Sequence, residues 1–271
     1  MKKLVLAGAA VLALASTRPA AAADIPVPAY QPPPTVVLFS WTNFYIGVHG
    51  GGGWATKETN AAPFPFPPPG VLPPLIALAP NSISASGGLA GAQIGANYQV
   101  GSWVFGAEAD ASWSNLTAGP TCAATRTFLG GVTPLSATCN VKVSGLGTIA
   151  GKVGWALDRL LVYGKGGIAW TNDNYTFTSA SVLMPSLAAN ETRWGWMLGA
   201  GVEYAFLDSW SGRIEYNYMD FGTRAPGFTS PGSLNSPSGV NTVTINIRER
   251  VSVVKLGLNY RFGYTTVGVR Y

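Results

Sequence analysis

Between about residues 41 and 262, apolar and polar residues alternate with period two in eight successive segments, and tryptophans gather at the segment ends. A period of two marks a β-strand with one apolar face. The segments run over about 41–54, 86–99, 102–115, 141–156, 160–171, 191–206, 210–221 and 244–262. Trp41, Trp103, Trp155 and Trp210 fall beside one set of ends, and Trp54, Trp113, Trp170, Trp194 and Trp196 beside the other. Indole has a broad apolar ring and one N–H donor, so it prefers a membrane–water interface. At roughly 3.3 Å per residue and a ~40° tilt, Trp103 and Trp113 stand about 25 Å apart along the membrane normal, the height of the apolar band of an outer-membrane barrel. All the tryptophans but Trp41 share the parity of their strand's apolar face. A β-sandwich would bury that face and has no reason to crown its strand ends with indoles. The expected fold is therefore all-β: an eight-stranded antiparallel transmembrane up-and-down β-barrel.

Charge content supports the same solvent. Only 11% of residues are charged, against ~25% in soluble domains. After the N-terminal segment no run of apolar residues is long enough for a spanning helix, which needs about 20. An apolar chain without such a helix can satisfy its backbone in lipid only by closing a barrel. Met1-Lys2-Lys3, the apolar run Leu4 to Ala15 and the small residues Ala20 to Ala23 have the pattern of a secretory signal peptide, with cleavage after Ala22 or Ala23. Removing Lys2, Lys3 and Arg18 from the 17 basic residues leaves 14 against 12 acidic ones, a net +2. The basic balance is thus no sign of a nucleic-acid partner. The expected organisation is a signal peptide over 1–23, a Pro-rich periplasmic linker over 24–39, the barrel over 40–263 and an extension over 264–271. Turns near 100–101, 157–159 and 207–209 are short, whereas the loops 55–85, 116–140, 172–190 and 222–243 are long. In outer-membrane barrels the long loops face outward and the short turns face the periplasm. Both cysteines, Cys122 and Cys139, fall in one long loop. In an oxidising envelope they are expected to form a disulfide, contributing roughly 3 kcal/mol in the chain-entropy account. With no histidine beside them, no metal site is expected.

The face opposite the apolar one carries Glu108, Asp110, Lys152, Lys165, Arg193, Glu203, Arg213, Glu215, Lys255 and Arg261. A lone Arg or Lys facing lipid at mid-bilayer costs roughly 2–4 kcal/mol, so these side chains are expected to point into the lumen. Eight strands leave a lumen just wide enough for side chains to fill. Opposite charges there would form a hydrogen-bonded network. The alternative is a narrow passive channel lined by the same charges. Counting outward from the turns sets Glu203 opposite Arg213 and Gln93 opposite Glu108. His49, the one histidine, has inward parity between Gly47 and Gly51 and reads as lumen filling rather than a general base. Gly145-Leu-Gly147-Thr-Ile-Ala-Gly151 has the wrong spacing and setting for a dinucleotide loop, and no hydrolase, zincin or phosphate-loop motif occurs. No catalytic residue, cofactor or metal is therefore assigned. Lys57, Arg126 and Arg224, in or near outward loops, are candidates for contact with lipopolysaccharide phosphates, with solvated loop charge as the alternative. The apolar stretches 63–69 and 71–76 offer either a recognition surface or ordinary loop packing.

Ser40-Trp41-Thr42-Asn43-Phe44-Tyr45-Ile46-Gly47, Gly106-Ala107-Glu108-Ala109-Asp110, Arg213-Ile214-Glu215-Tyr216 and Leu258-Asn259-Tyr260-Arg261-Phe262 resemble the porin-family outer-membrane immunogenic proteins of Gram-negative bacteria. The resemblance covers about 40–263. It implies an outer-membrane surface antigen with an envelope-stabilising role, set in outer-membrane lipid and lipopolysaccharide and inserted by the barrel-assembly machinery. It also implies, for some relatives, host-ligand or haem binding through loops. Chains of this kind usually stop at the terminal aromatic, which makes Leu258, Tyr260 and Phe262 the expected assembly signal. Here the chain continues to Tyr271, so Val267, Val269 and Tyr271 are the alternative.

Overall fold

The computed structural model describes residues 36–60, 64–65, 75–78, 81–119, 121–128, 131–179, 187–229, 242–263 and 267–269. The expected signal peptide and most of the Pro-rich linker lie outside them. Among the described residues eight long strands form the barrel: β1 (Asn43–Asn60), β2 (Asn81–Val100), β3 (Trp103–Ala118), β4 (Gly131–Leu157), β5 (Leu160–Ser179), β6 (Leu187–Tyr204), β7 (Trp210–Arg224) and β8 (Asn246–Phe262). Each pairs antiparallel with the next, and β8 pairs with β1, so the sheet closes without an edge. Shorter strands continue beyond the barrel wall: Leu75–Leu78 pairs with Thr121–Phe128, and Gly227–Thr229 with Thr242–Thr244. A separate two-stranded sheet pairs Val36–Leu38 with Val267–Val269. No helix among the described residues is long and apolar enough to cross a membrane.

The strands outrun the alternating segments at their outer ends. β4 begins at Gly131 and β5 reaches Ser179. These extensions stand above the indole belt, where both faces meet water or polar neighbours. Pairing persists there, but the apolar alternation that reveals a strand in sequence does not. The turn between β2 and β3 also corrects a register. Val100 pairs with Trp103 and Gly101 adopts φ 60°, so the loop is Gly101-Ser102, a two-residue turn with glycine at its first position. Its centre lies one residue later than counting from Val100-Gly101 implies. Gln93 therefore opposes Asp110, and Glu108 opposes Gly95. Glu203 does oppose Arg213.

The outer face is apolar and exposed, with Phe44, Ile46, Val48, Ile94, Leu198 and Leu256 pointing away from the lumen. Trp54, Trp103, Trp113, Trp155, Trp194 and Trp196 are exposed on that face, and Trp170 and Trp210 are half-buried. Trp103 meets Trp155 edge-on at 4.9 Å between ring centroids, and Trp210 meets Tyr260 at 5.1 Å. Trp41 departs from this belt. It is 0% exposed and lies inside the periplasmic mouth.

Candidate functional site

The lumen is filled in tiers. The middle tier holds four cations, Lys152, Lys165, Arg213 and Lys255, and four anions, Glu108, Asp110, Glu203 and Glu215, all buried. Inward parity brings them together from β3, β4, β5, β6, β7 and β8. Glu108 is the hub: it accepts hydrogen bonds from Tyr45 Oη at 2.6 Å, from Lys165 Nζ at 3.0 Å and from Arg213 Nη1. Glu215 lies 2.7 Å from Lys165 Nζ and accepts from Tyr163 Oη at 2.9 Å. Asp110 accepts from Lys255 Nζ at 2.6 Å and from Thr148. Glu203 accepts from Ser211 at 2.5 Å and Asn259 at 2.9 Å, with Lys152 Nζ 3.9 Å away. Lys152 also lies over the Tyr45 and Tyr163 rings, 5.0 and 4.8 Å from their centroids. Those two rings need room. A Cβ at Gly95 would stand 2.4 Å from the Tyr45 ring, and one at Gly201 2.7 Å from the Tyr163 ring. Matching charge numbers allow such a cluster to exist in a dry interior, because each desolvated ion finds an opposite partner.

His49 joins this tier from β1. Its Nδ1 lies 2.5 Å from Gln93 Oε1 and its Nε2 2.7 Å from Ser112 Oγ. A serine within reach of an imidazole has the outline of a nucleophile–base pair. Here an amide rather than a carboxylate orients the ring, and His49 and Ser112 are 5% and 4% exposed. The pair is packed as filling.

Above the middle tier lies an apolar septum of Leu89, Leu116, Leu146, Met197, Met219, Phe221 and smaller residues. Above the septum is a second charged tier. Lys57 Nζ donates to Asp173 at 2.8 Å, Glu249 at 2.5 Å and Tyr175 Oη at 2.9 Å. Arg193 Nε stands 3.6 Å from both Asp173 and Glu249, and Arg193 also pairs with Glu191 at 3.0 Å. Below the middle tier, Phe39 and Trp41 cap the mouth with Val104, Leu161, Tyr163 and Ala205. Trp41 donates from its backbone N to Gln99 Oε1 at 2.6 Å and from Nε1 to the Asp158 carbonyl at 2.9 Å. Arg261 donates to the Ser40 carbonyl at 2.7 Å and lies over Phe39 and Trp41, 4.5 and 4.8 Å from the ring centroids.

The ten lumen charges expected from sequence all point inward, but not into one network. Eight form the middle tier, Arg193 belongs to the outer tier and Arg261 to the periplasmic cap. Sequence reasoning missed Lys57, Asp173 and Tyr175 because they lie on strand extensions that read as loop, whereas Glu191 and Glu249 lie within the expected segments 191–206 and 244–262, where the parity of Arg193 and Lys255 already points them inward. Inward parity counted upward from Trp54 would have found Lys57. Lys57 is accordingly not an outward loop charge: it is 1% exposed inside the barrel. Arg224 is exposed at the outer end of β7. Arg126 lies on Thr121–Phe128, in register with Ile76 and Thr133. Of the apolar stretches 63–69 and 71–76, Phe64–Pro65 pairs with Leu75 and Ile76, and the remainder lies outside the described residues. Cys122 and Cys139 form a disulfide, with Cα atoms 5.9 Å apart, between Thr121–Phe128 and β4. Leu258, Tyr260 and Phe262 line the outer face of the last strand, the two rings 4.8 Å apart.

Known proteins agree with this architecture. Residues 7–262 match the family model described as outer membrane protein beta-barrel domain. The 31 kDa outer-membrane immunogenic protein of Brucella melitensis is 32% identical over 269 residues, covering 97% of this chain and 100% of that one. The 25 kDa outer-membrane immunogenic protein of Brucella abortus is 26% identical over 97% of this chain and 99% of its own. Among solved structures, the outer membrane protein OprG of Pseudomonas aeruginosa aligns at a TM-score of 0.41 with 17% identity, over 84% of this chain and 99% of that one. The closed antiparallel sheet, its exposed apolar wall, the family-model match and the full-length Brucella relatives together place the protein in the Gram-negative outer membrane, and the chain belongs to the outer-membrane β-barrel domain family, with the Brucella outer-membrane immunogenic proteins among its relatives.

Proposed function

We propose that this protein is a sealed, non-catalytic barrel that strengthens the envelope and displays its outer hairpins as a surface antigen. The observation that carries this reading is the stacking of lumen layers: an aromatic cap, a charge-balanced tier, an apolar septum and a second charged tier. An ion crossing the septum would lose its hydration shell against Leu, Met and Phe side chains, where burial of an unpaired charge is strongly unfavourable. The names of the Brucella relatives support the antigen role, and the disulfide-pinned hairpin supplies a rigid exposed element. Leu258, Tyr260 and Phe262 serve in this scheme as the signal read by the assembly machinery. Planar-bilayer recording tests the seal. The purified barrel should give no reproducible conductance steps. Steps that change when Lys152 or Lys165 is neutralised would establish the narrow-channel alternative instead. Antibody against the hairpin of Thr121–Phe128 should label intact cells, and loss of host-ligand or haem binding on deletion of that hairpin would assign it a receptor role instead.

A further inference from the structure

The outer wall carries a charged patch that the lumen does not explain. Arg248 and Arg250 have the outward parity of β8, opposite to Glu249, and their side chains are 49% and 34% exposed. Their height is fixed by register. Ser252 pairs with Trp54 on one side and Tyr218 on the other, and Arg250 follows one outward step higher, paired with Thr56 and Asp220. Asp220 in turn pairs with Trp196. The two arginines thus stand directly on the outer aromatic belt of Trp54, Tyr216, Tyr218 and Trp196. Elsewhere on the rim the corresponding outward positions include neutral Ser84, Thr117, Asn174 and Thr192 and a single lysine, Lys142, between Thr117 and Asn174, so two adjacent guanidinium groups set this stretch apart. Belt aromatics mark where hydrocarbon gives way to headgroups. A guanidinium at that height meets lipid phosphate rather than bulk water.

We propose that Arg248 and Arg250 form a binding site for a phosphate of an outer-leaflet lipid, specifically a lipid A phosphate. Guanidinium offers a planar fork of five donors suited to phosphate oxygens, and both forks are only partly engaged. Arg250 hydrogen-bonds Glu58, and Arg248 Nη2 stands 3.6 Å from Asp220 Oδ2. Asp220 itself is tied down: its Oδ1 accepts from Gly222 N at 2.8 Å across the β7 bulge, where Gly222 has φ 67°. The bulge therefore fixes a carboxylate that holds Arg248 against the wall in the free protein. In this arrangement Glu58 and Asp220 position the arginines and compete with the incoming phosphate for them. The site rests on the outer-membrane placement of the barrel and is independent of whether the lumen conducts.

The competition gives the test its sign. Full-length protein in detergent micelles is titrated with bisphosphorylated lipid A, dephosphorylated lipid A and inorganic phosphate, with folding monitored by heat-modifiable gel mobility. The double variant Arg248→Gln/Arg250→Gln should bind bisphosphorylated lipid A about tenfold more weakly or worse, in line with loss of charge-assisted hydrogen bonds. Glu58→Gln should bind it more tightly than the native chain. Dephosphorylated lipid A should not distinguish any of these proteins. Should the double glutamine variant fail to fold, the double lysine variant keeps the charge, loses the fork, and should fall between the two. Native affinity in the arginine variants would overturn the site. A Glu58→Gln variant weakened like Arg250→Gln would reduce the pair to a structural ion pair and overturn it too. Inorganic phosphate that binds as tightly through the same arginines would overturn the lipid as the ligand.

Discussion

The two charged tiers inside this barrel are built from the same residue types and differ in setting. The middle tier sets four cations against four anions at the depth of the apolar wall. The outer tier sets Lys57 and Arg193 against Asp173, Glu249 and Glu191, above the indole belt. At mid-membrane depth neither lipid outside nor the septum above can solvate an unmatched ion, so the charges must balance by themselves. Near the outer mouth an extra carboxylate is tolerated, and Glu191 is the half-exposed member of its tier. Apart from Glu191 the charges of both tiers are buried, so charge balance and depth, rather than exposure, separate the tiers.

The sharpest way to break this contrast is to remove the hub. Glu108→Ala strips the hydrogen bonds of Tyr45, Lys165 and Arg213 together. It should cost about 3–5 kcal/mol, the penalty for leaving a buried charge uncompensated, read as a fall in urea midpoint for barrel unfolding. The septum comes next. Met197→Ala opens a cavity among Leu146, Met219 and Phe221 and should cost about 2–4 kcal/mol without adding a charge. The outer tier should be more forgiving. Lys57→Met leaves the buried Asp173 and Glu249 facing each other with Arg193 as their remaining cation, and about 1–3 kcal/mol is expected. An effect as large as that of Glu108→Ala would erase the difference between the tiers.

What the sequence revealed follows the same boundary. Within the apolar band one face of each strand meets hydrocarbon, and period two is then visible; β3, with Trp103, Phe105, Ala107 and Glu108, Asp110 alternating, is unmistakable. Above the belt that contrast disappears, and the outer halves of β4 and β5 were legible only as loop. Asp173 and Tyr175 of the outer tier are hidden with them, and Lys57 with the outer end of β1. The β2–β3 register failed for a smaller reason: a positive φ at Gly101 moves the turn by one residue, and the surrounding residues do not specify which glycine-containing pair forms the turn. Trp41 shows the limit of composition. Its indole fits a girdle, yet it precedes β1 and is held inside the mouth, 0% exposed, with Nε1 donating to the Asp158 carbonyl.

The smallest expected effect concerns Glu203 and Arg213. They face each other in register, so sequence counting alone makes them an ion pair whose charge swap should restore stability. Their side chains go elsewhere. Arg213 reaches Glu108 and stands 3.8 Å from Glu215, and Glu203 is held by Ser211, Asn259 and Lys152. In a double-mutant cycle, Glu203→Arg and Arg213→Glu should each destabilise, and the coupling between them should be about 0.5 kcal/mol, the low end of the range for residues that share a network. Rescue by more than about 1 kcal/mol would mean that neighbouring strands, rather than partners across the lumen, organise the middle tier. The matched charges at that depth would then be a set of local pairs, and the hub at Glu108 would lose its special cost.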